Sequence, residues 1–379
     1  MAFVAIPNND QYEYDNAPPD PGVGHPMRAL WLKSSNGVRT EHGHSVYVRT
    51  RRIGSGNVDH GELSKSYWDA RGDEDDIPAT FDMTVRTTAA NETFTIRCKS
   101  VGTFNATVDW GDGSSSTVTT YNSANLAHTY ASAGDHAISV SGTFPNIDFN
   151  NSSSAAKVIA VTNFGEVGWN GSIARAFWGC TNMTSFTSGV TDTSGITSLQ
   201  YVWKNCENLT SIDVSTFDTS NVTQMDQMFF NCFSIPSIDL SSWDVSSVRY
   251  MRRTFENCYL LETINVTNWA TTSVFSFNLF ASNAGRDVTG TFDIIGVENF
   301  NIEALTTYFS SLRDFMIAPV GLPTARYDAW LINLDAQTSP NLTMVGFGSS
   351  QYTAGGAAEA ARASLISNDG WSITDGGAA

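Results

Sequence analysis

The sequence predicts a multidomain α+β chain built around a repeat solenoid, and three observations carry that expectation. Four of the five cysteines, Cys180, Cys206, Cys232 and Cys258, follow one another 26 residues apart. Alternating runs such as Phe94-Thr-Ile-Arg-Cys and Ala137-Ile-Ser-Val-Ser, separated by turn clusters, precede the periodic region and read as strands. Tyr327-Asp-Ala-Trp-Leu-Ile-Asn-Leu and Ala357-Ala-Glu-Ala-Ala-Arg-Ala-Ser-Leu-Ile follow it and read as helices. A period of this length marks supersecondary units that bury their apolar faces only by stacking on one another.

The rest of the unit keeps step with the cysteines. Phe177, Trp203, Phe229 and Phe255 stand three residues before them, and Met183, Leu209, Ile235 and Leu261 three residues after. Phe186, Ile212, Ile238 and Ile264 recur, as do Phe217, Trp243 and Trp269, and Ile196, Val222, Val248 and Val274. Asn205, Asn231 and Asn257 precede the last three cysteines, and Asn283 keeps the position where the next cysteine is gone. In the best copy, Asp218 or Ser220 is placed to cap a short helix. Val222, Met225, Met228 and Phe229 then share one helical face. Ile235-Pro-Ser-Ile-Asp-Leu alternates like a short strand. Stacking predicts ladders of like residues, with the asparagines bonding the turn backbone inside each coil.

Trp243-Asp-Val-Ser-Ser-Val-Arg-Tyr-Met-Arg-Arg-Thr-Phe-Glu-Asn-Cys-Tyr-Leu-Leu-Glu-Thr-Ile-Asn resembles the BspA-like leucine-rich repeat, also met in mycoplasma-type surface lipoproteins. That resemblance implies a right-handed α/β solenoid of 26-residue units over residues 148–311, with roles in adhesion or surface recognition. Upstream, Val108-Asp-Trp-Gly-Asp-Gly-Ser with His128-Thr-Tyr and Gly134-Asp-His-Ala-Ile-Ser-Val resembles a PKD-type domain, implying an immunoglobulin-like β-sandwich over 79–147 that acts as a spacer or adhesive module. Residues 312–379, with strands expected at Leu342-Thr-Met-Val-Gly-Phe and Trp371-Ser-Ile-Thr, resemble the small α/β unit that caps such arrays. In residues 1–78, prolines 18, 19, 21 and 26 make the start irregular, and Arg28-Ala-Leu-Trp-Leu-Lys and Ser45-Val-Tyr-Val-Arg-Thr-Arg read as strands. Gly24-His-Pro-Met-Arg-Ala-Leu-Trp and Gly61-Glu-Leu-Ser-Lys-Ser-Tyr-Trp resemble N-terminal regions of phage virion proteins, implying a β-rich attachment region.

Composition narrows the function. Only 16% of residues are charged against 41% hydrophobic, so Ser, Thr and Asn must supply the polar surface. A net charge of −17 opposes nucleic acid or anionic membrane as a partner, since phosphate binding needs clustered Lys and Arg, and Arg49, Arg51 and Arg52 are too few. No stretch reaches the roughly 18 apolar residues of a membrane span. The opening Met1-Ala-Phe-Val-Ala-Ile-Pro has no basic n-region and no long apolar core, so it does not read as a secretory signal.

Candidate chemistry weighs toward structure. The four ladder cysteines lie one coil apart rather than in the close pairs that structural zinc needs, and are expected as buried, reduced core markers. Asp109 and Asp112 could hold calcium, but a tight turn bonding its own backbone is favoured. His42 and His44 have metal-like spacing without a third ligand, and Arg71-Gly72-Asp73 matches an integrin-type tripeptide by chance. Nucleophile-elbow, zinc-protease, Walker and dinucleotide motifs are missing, so no enzyme activity, cofactor or metal is expected. Trp178, Lys204, Phe230 and Glu256 vary between otherwise constant neighbours, are expected to face outward, and are the candidate binding positions.

An exported-looking composition without an export signal is what a phage structural protein would have, being assembled in the host cytoplasm and released by lysis. The expectation is a non-enzymatic, tail-associated fibre, tip or adhesin on the virion surface. It would attach to other virion proteins through residues 1–78, bind a host receptor or glycan through its repeats, and work as a homo-oligomer within an assembly. Head decoration, a bacterial cell-surface adhesin and a polysaccharide-degrading tail enzyme are the alternatives.

Overall fold

A computed structural model describes residues 30–32, 38–40, 48–53, 57–62, 80–289, 292–305, 315, 321–337 and 345–379. The chain divides into two compact units, Met1–Pro78 and Ala79–Ala379. In the first, β1 (Leu30–Leu32) pairs antiparallel with β2 (Val38–Thr40), and β3 (Val48–Ile53) with β4 (Asn57–Glu62). The expected strands at 28–33 and 45–51 overlap β1 and β3. His42, His44 and Arg71-Gly72-Asp73 lie outside the described residues.

The second unit is β-rich, and the two α-helices among its described residues lie at the C-terminal end. It opens with β5 (Thr80–Thr87), β6 (Glu92–Thr95), β7 (Asn105–Asp109), β8 (Ser115–Val118), β9 (Ala127–Tyr130) and β10 (Gly134–Thr143). The sheet order β5-β10-β7-β8 is antiparallel throughout, and β6 pairs with β9. Alternation places Phe81, Met83, Val85, Val108, Ile138 and Val140 in the core. The next strand, β11 (Val158–Asn163), joins the same sheet. It runs antiparallel to β5 and parallel to β13 (Ser185–Thr187), which in turn pairs with β15 (Ser211–Asp213). One seven-stranded sheet, β15-β13-β11-β5-β10-β7-β8, thus crosses the boundary expected near 147. The Phe81 ring lies 6.0 Å from Phe164 and 5.5 Å from Trp169, so the core is continuous there as well.

From β11 onward the chain stacks in register. β12 (Gly171–Ser172) pairs parallel with β14 (Ile196–Ser198), and β16 (Ser237–Asp239) with β17 (Thr263–Asn265) and then β18 (Asp293–Ile295). Ser185 faces Ser211 and Ile238 faces Ile264, each 26 residues on. β15 and β16 belong to different sheets, and Pro236 explains the break. The Thr210 N–H donates to the Thr184 carbonyl, and the Glu262 N–H to the Pro236 carbonyl. At the equivalent position between them, Pro236 has no N–H to give to Thr210. Single bridges Ser198–Gln224, Gln224–Tyr250 and Tyr250–Ser276 keep the stack continuous alongside.

The short helix expected in each unit does not form. Val222, Met225, Met228 and Phe229 are fully buried as their spacing predicts, yet the segment is a series of turns. Gln227 (φ 54°) and Asn231 (φ 62°) adopt the left-handed conformation, which a right-handed helix does not admit. Alternate amides instead point along the stack: those of Met225, Gln227, Phe229 and Asn231 donate to the carbonyls of Tyr250, Arg252, Thr254 and Glu256, each at 2.8–3.0 Å. An apolar spacing of three and four is therefore met by a coil that bonds to its neighbour. Asp218 accepts from Ser220 N–H (3.0 Å) and Oγ (2.7 Å), capping a turn and not a helix, and Asp244 does the same for Ser246 N–H.

Two helices, α1 (Thr324–Asp335) and α2 (Ala357–Ser367), and the parallel pair β19 (Val345–Gly346) and β20 (Ile373–Thr374) close the chain. α1 is tied back to the last coil by Arg326, which bonds Asp293 and sits 2.7 Å from Glu298. No helix among the described residues is long and apolar enough to cross a membrane.

Candidate functional site

Two left-handed positions recur in every coil. Arg175, Tyr201, Gln227, Arg253 and Leu279 occupy the first position, and Gly179, Asn205, Asn231, Asn257 and Asn283 the second. The second position explains the asparagines, which tolerate positive φ better than most residues. The sequence predicts that their side chains bond the turn backbone inside each coil, and the structure differs. They form an amide ladder between coils: Asn231 Nδ2 donates to Asn205 Oδ1 (3.0 Å), Asn257 to Asn231 (2.9 Å) and Asn283 to Asn257 (2.9 Å). In-register stacking brings identical amides to hydrogen-bonding distance, so an amide inside the ladder donates to the coil before it and accepts from the coil after it.

The cysteines form the next ladder inward. All five are free thiols, and the four at the repeat spacing are fully buried. Cys206, Cys232 and Cys258 donate S–H to the carbonyls of Phe177, Trp203 and Phe229 in the preceding coil, at 3.3, 3.1 and 3.2 Å. Burial pushes these thiols well above the ordinary range, so they act as small apolar side chains and weak donors. Trp203 and Phe229 stack 5.0 Å apart beside them, and Phe229 and Phe255 5.6 Å apart.

Between the two left-handed residues the chain presents Trp178, Lys204, Phe230 and Glu256, which form one half-buried row. Lys204 Nζ lies 5.0 Å from the Trp178 ring centre, 4.9 Å from Phe230 and 5.1 Å from Tyr201. Gln227 Oε1 accepts from this ammonium at 2.7 Å. Three π faces and a neutral carbonyl thus hold the cation. Burial lowers the Lys204 pKa, and Arg253 adds to the effect. Burial raises that of Glu256, opposed by Arg253, which lies 3.4 Å away, and by Lys204. The row Arg175, Tyr201, Gln227, Arg253 completes the surface and was missed in the sequence, although it varies at the same 26-residue spacing. A deeper polar row lies beside it: Asp226, almost fully buried, is bound by Arg252 through Nε (3.1 Å) and Nη2 (3.0 Å). The arrangement offers ring faces, an ammonium and a guanidinium–carboxyl pair along successive coils.

Asp109 and Asp112 accept from the N–H groups of Gly111 (2.9 Å) and Ser114 (3.0 Å), and Asp112 Oδ2 lies 2.7 Å from His128 Nε2. Hydrogen bonds from Ser114 and then His128 bring the Asp112 carboxyl down to about 2. Among the described residues no group of three or more His, Cys, Asp or Glu could hold a metal ion.

These features define a β-rich protein of stacked repeat units with a varied row of side chains on a constant backbone. Residues 171–289, about a third of the chain, match a family described as a Mycoplasma protein of unknown function, DUF285. No curated protein and no solved structure matches.

Proposed function

We propose that the protein is a non-enzymatic recognition and structural protein of a bacteriophage particle, tail-associated, whose BspA-like units form a right-handed solenoid presenting a binding face. The observation that carries this reading is the contrast within each coil. Interior positions repeat as aromatic, thiol and amide ladders, whereas the outward row changes from Trp178 to Lys204, Phe230 and Glu256 on the same backbone. A scaffold that holds variable groups at fixed spacing is suited to recognition. The PKD-like segment serves as the spacer and residues 1–78 as the attachment region. Thiols that stay reduced and buried support assembly in a reducing cytoplasm before release. The match to a Mycoplasma family favours a second reading, a bacterial cell-surface adhesin.

Immunogold labelling of purified particles tests the location: label at the tail supports the assignment, and label confined to the capsid or to host envelopes overturns it. Particles carrying Trp178→Ala should be produced in normal yield and adsorb to host cells about tenfold more slowly, as loss of a central aromatic contact predicts. Unchanged adsorption would remove this row from recognition.

A further inference from the structure

We infer that a groove on another side of the stack is a second binding site, shaped for a neutral, hydroxyl-rich chain such as an oligosaccharide. Its volume is about 730 Å³, and it runs where the β5–β6 turn and the segment before β11 meet the first repeat units. Ala156, Asn182, Asn208 and Ser234 line it at successive 26-residue intervals, with Thr184 and Thr210 beside them. Strand-like stacking spaces such a row by about 4.8 Å per coil, so four coils present a regular track about 14 Å long.

The hydrogen-bonding polarity of the track decides the ligand. Asn182 Nδ2 donates to the Ala156 carbonyl (2.7 Å) and Asn208 Nδ2 to the Thr181 carbonyl (2.8 Å). The hydroxyls of Thr184 and Thr210 donate to the carbonyls of Ile159 (3.2 Å) and Thr184 (3.1 Å). With both hydroxyl hydrogens and one N–H of each amide engaged, each side chain is held in one orientation, keeps its oxygen lone pairs as acceptors, and at each Asn keeps a second N–H as a donor. Fixed acceptors with amide donors between them complement sugar hydroxyls, which donate and accept at every residue. The charged residues of the lining are already neutralised. Lys157 Nζ lies 2.7 Å from Glu92 and donates to the Thr93 carbonyl, and Arg86 is bidentate to Asp135 at 2.6 and 2.8 Å. The Lys157 bond, with the Thr88 amide, brings the Glu92 carboxyl down to about 2, so this carboxylate stays ionised across the physiological range. An ionic ligand would find no uncommitted counter-charge among these residues.

Calorimetric titration of the full chain with cellohexaose, maltohexaose and hexa-N-acetylchitohexaose, and with polygalacturonate as the charged comparison, tests the inference. At least one neutral hexasaccharide should bind. Thr184→Val with Thr210→Val should weaken it about tenfold, by loss of two acceptors, and Ser234→Trp should block it. Tyr121→Ala, at an exposed ring outside the groove and outside the aromatic row, should leave the affinity unchanged, and thermal melting by circular dichroism confirms that each variant is folded. Binding by polygalacturonate alone, no binding by any neutral hexasaccharide, or wild-type affinity in both folded groove variants would overturn the site.

Discussion

Asn231 meets two demands at once. Its φ of 62° strains any residue with an ordinary side chain, and its amide both donates to Asn205 and accepts from Asn257. Substitution can separate the two. Asn231→Gly keeps the backbone at ease and loses only the ladder, about 1–2 kcal/mol for two partly exposed hydrogen bonds. Asn231→Ala adds the left-handed penalty of about 1–2 kcal/mol, so the alanine variant should be the less stable of the pair. Chemical denaturation measures both, and equal losses would mean that the turn carries no strain. The same duality explains what the sequence could not reveal. The recurrence of Asn205, Asn231, Asn257 and Asn283 is plain in the sequence, but whether their amides bond within a coil or between coils depends on an in-register offset that exists only after stacking. The Lys204 cage was half legible for a similar reason. Trp178, Lys204 and Phe230 share one spacing, whereas Tyr201 and Gln227 reach the ammonium only because their backbone is left-handed.

Elements in the repeat were legible as apolar patterns and misread as helices. Val222, Met225, Met228 and Phe229 are the correct buried set, because any conformation that returns every third or fourth side chain inward satisfies that pattern. What distinguishes the two is the destination of the amides, which here lies 25 residues ahead. The strands were better specified, since Ser237-Ile-Asp and Thr263-Ile-Asn alternate with a period that no helix shares. The break between β15 and β16 is a consequence of one such residue. Pro236→Thr restores the N–H that its equivalent Thr210 donates to the coil before. The new amide at 236 should be strongly protected in hydrogen exchange, with the sheet running unbroken from β13 to β18. An amide exchanging at the rate of an open loop would assign the break to the neighbouring turns instead.

At the scale of the molecule, the joint between the antiparallel strands and the repeats decides how the chain folds. The sequence suggested a boundary near 147 because the PKD-like pattern ends there, and a motif ends without regard to what covers its edge. In the structure β5 pairs on both sides, with β10 and with β11. Phe81, Met83 and Val85 are shielded to at least 99%, and the Phe81 ring packs against Phe164, Trp169 and Phe177, all beyond the boundary. A fragment of residues 79–147 would uncover that edge and one side of those side chains. Full burial of a Phe, Met or Val side chain is worth about 1.5–3 kcal/mol, so partial exposure of three removes a large share of a small domain's stability of about 5–15 kcal/mol. The fragment should therefore show no cooperative melting transition and little dispersion in its amide NMR spectrum, while residues 79–379 melt in a single step. Because β11 contributes its own ladder to β5, the longer fragment 79–190, which ends after β13, should regain dispersion in the β5 amides before the rest of the stack has been added. A sharp transition in 79–147 alone would instead make the shared sheet a docking contact between two self-sufficient domains.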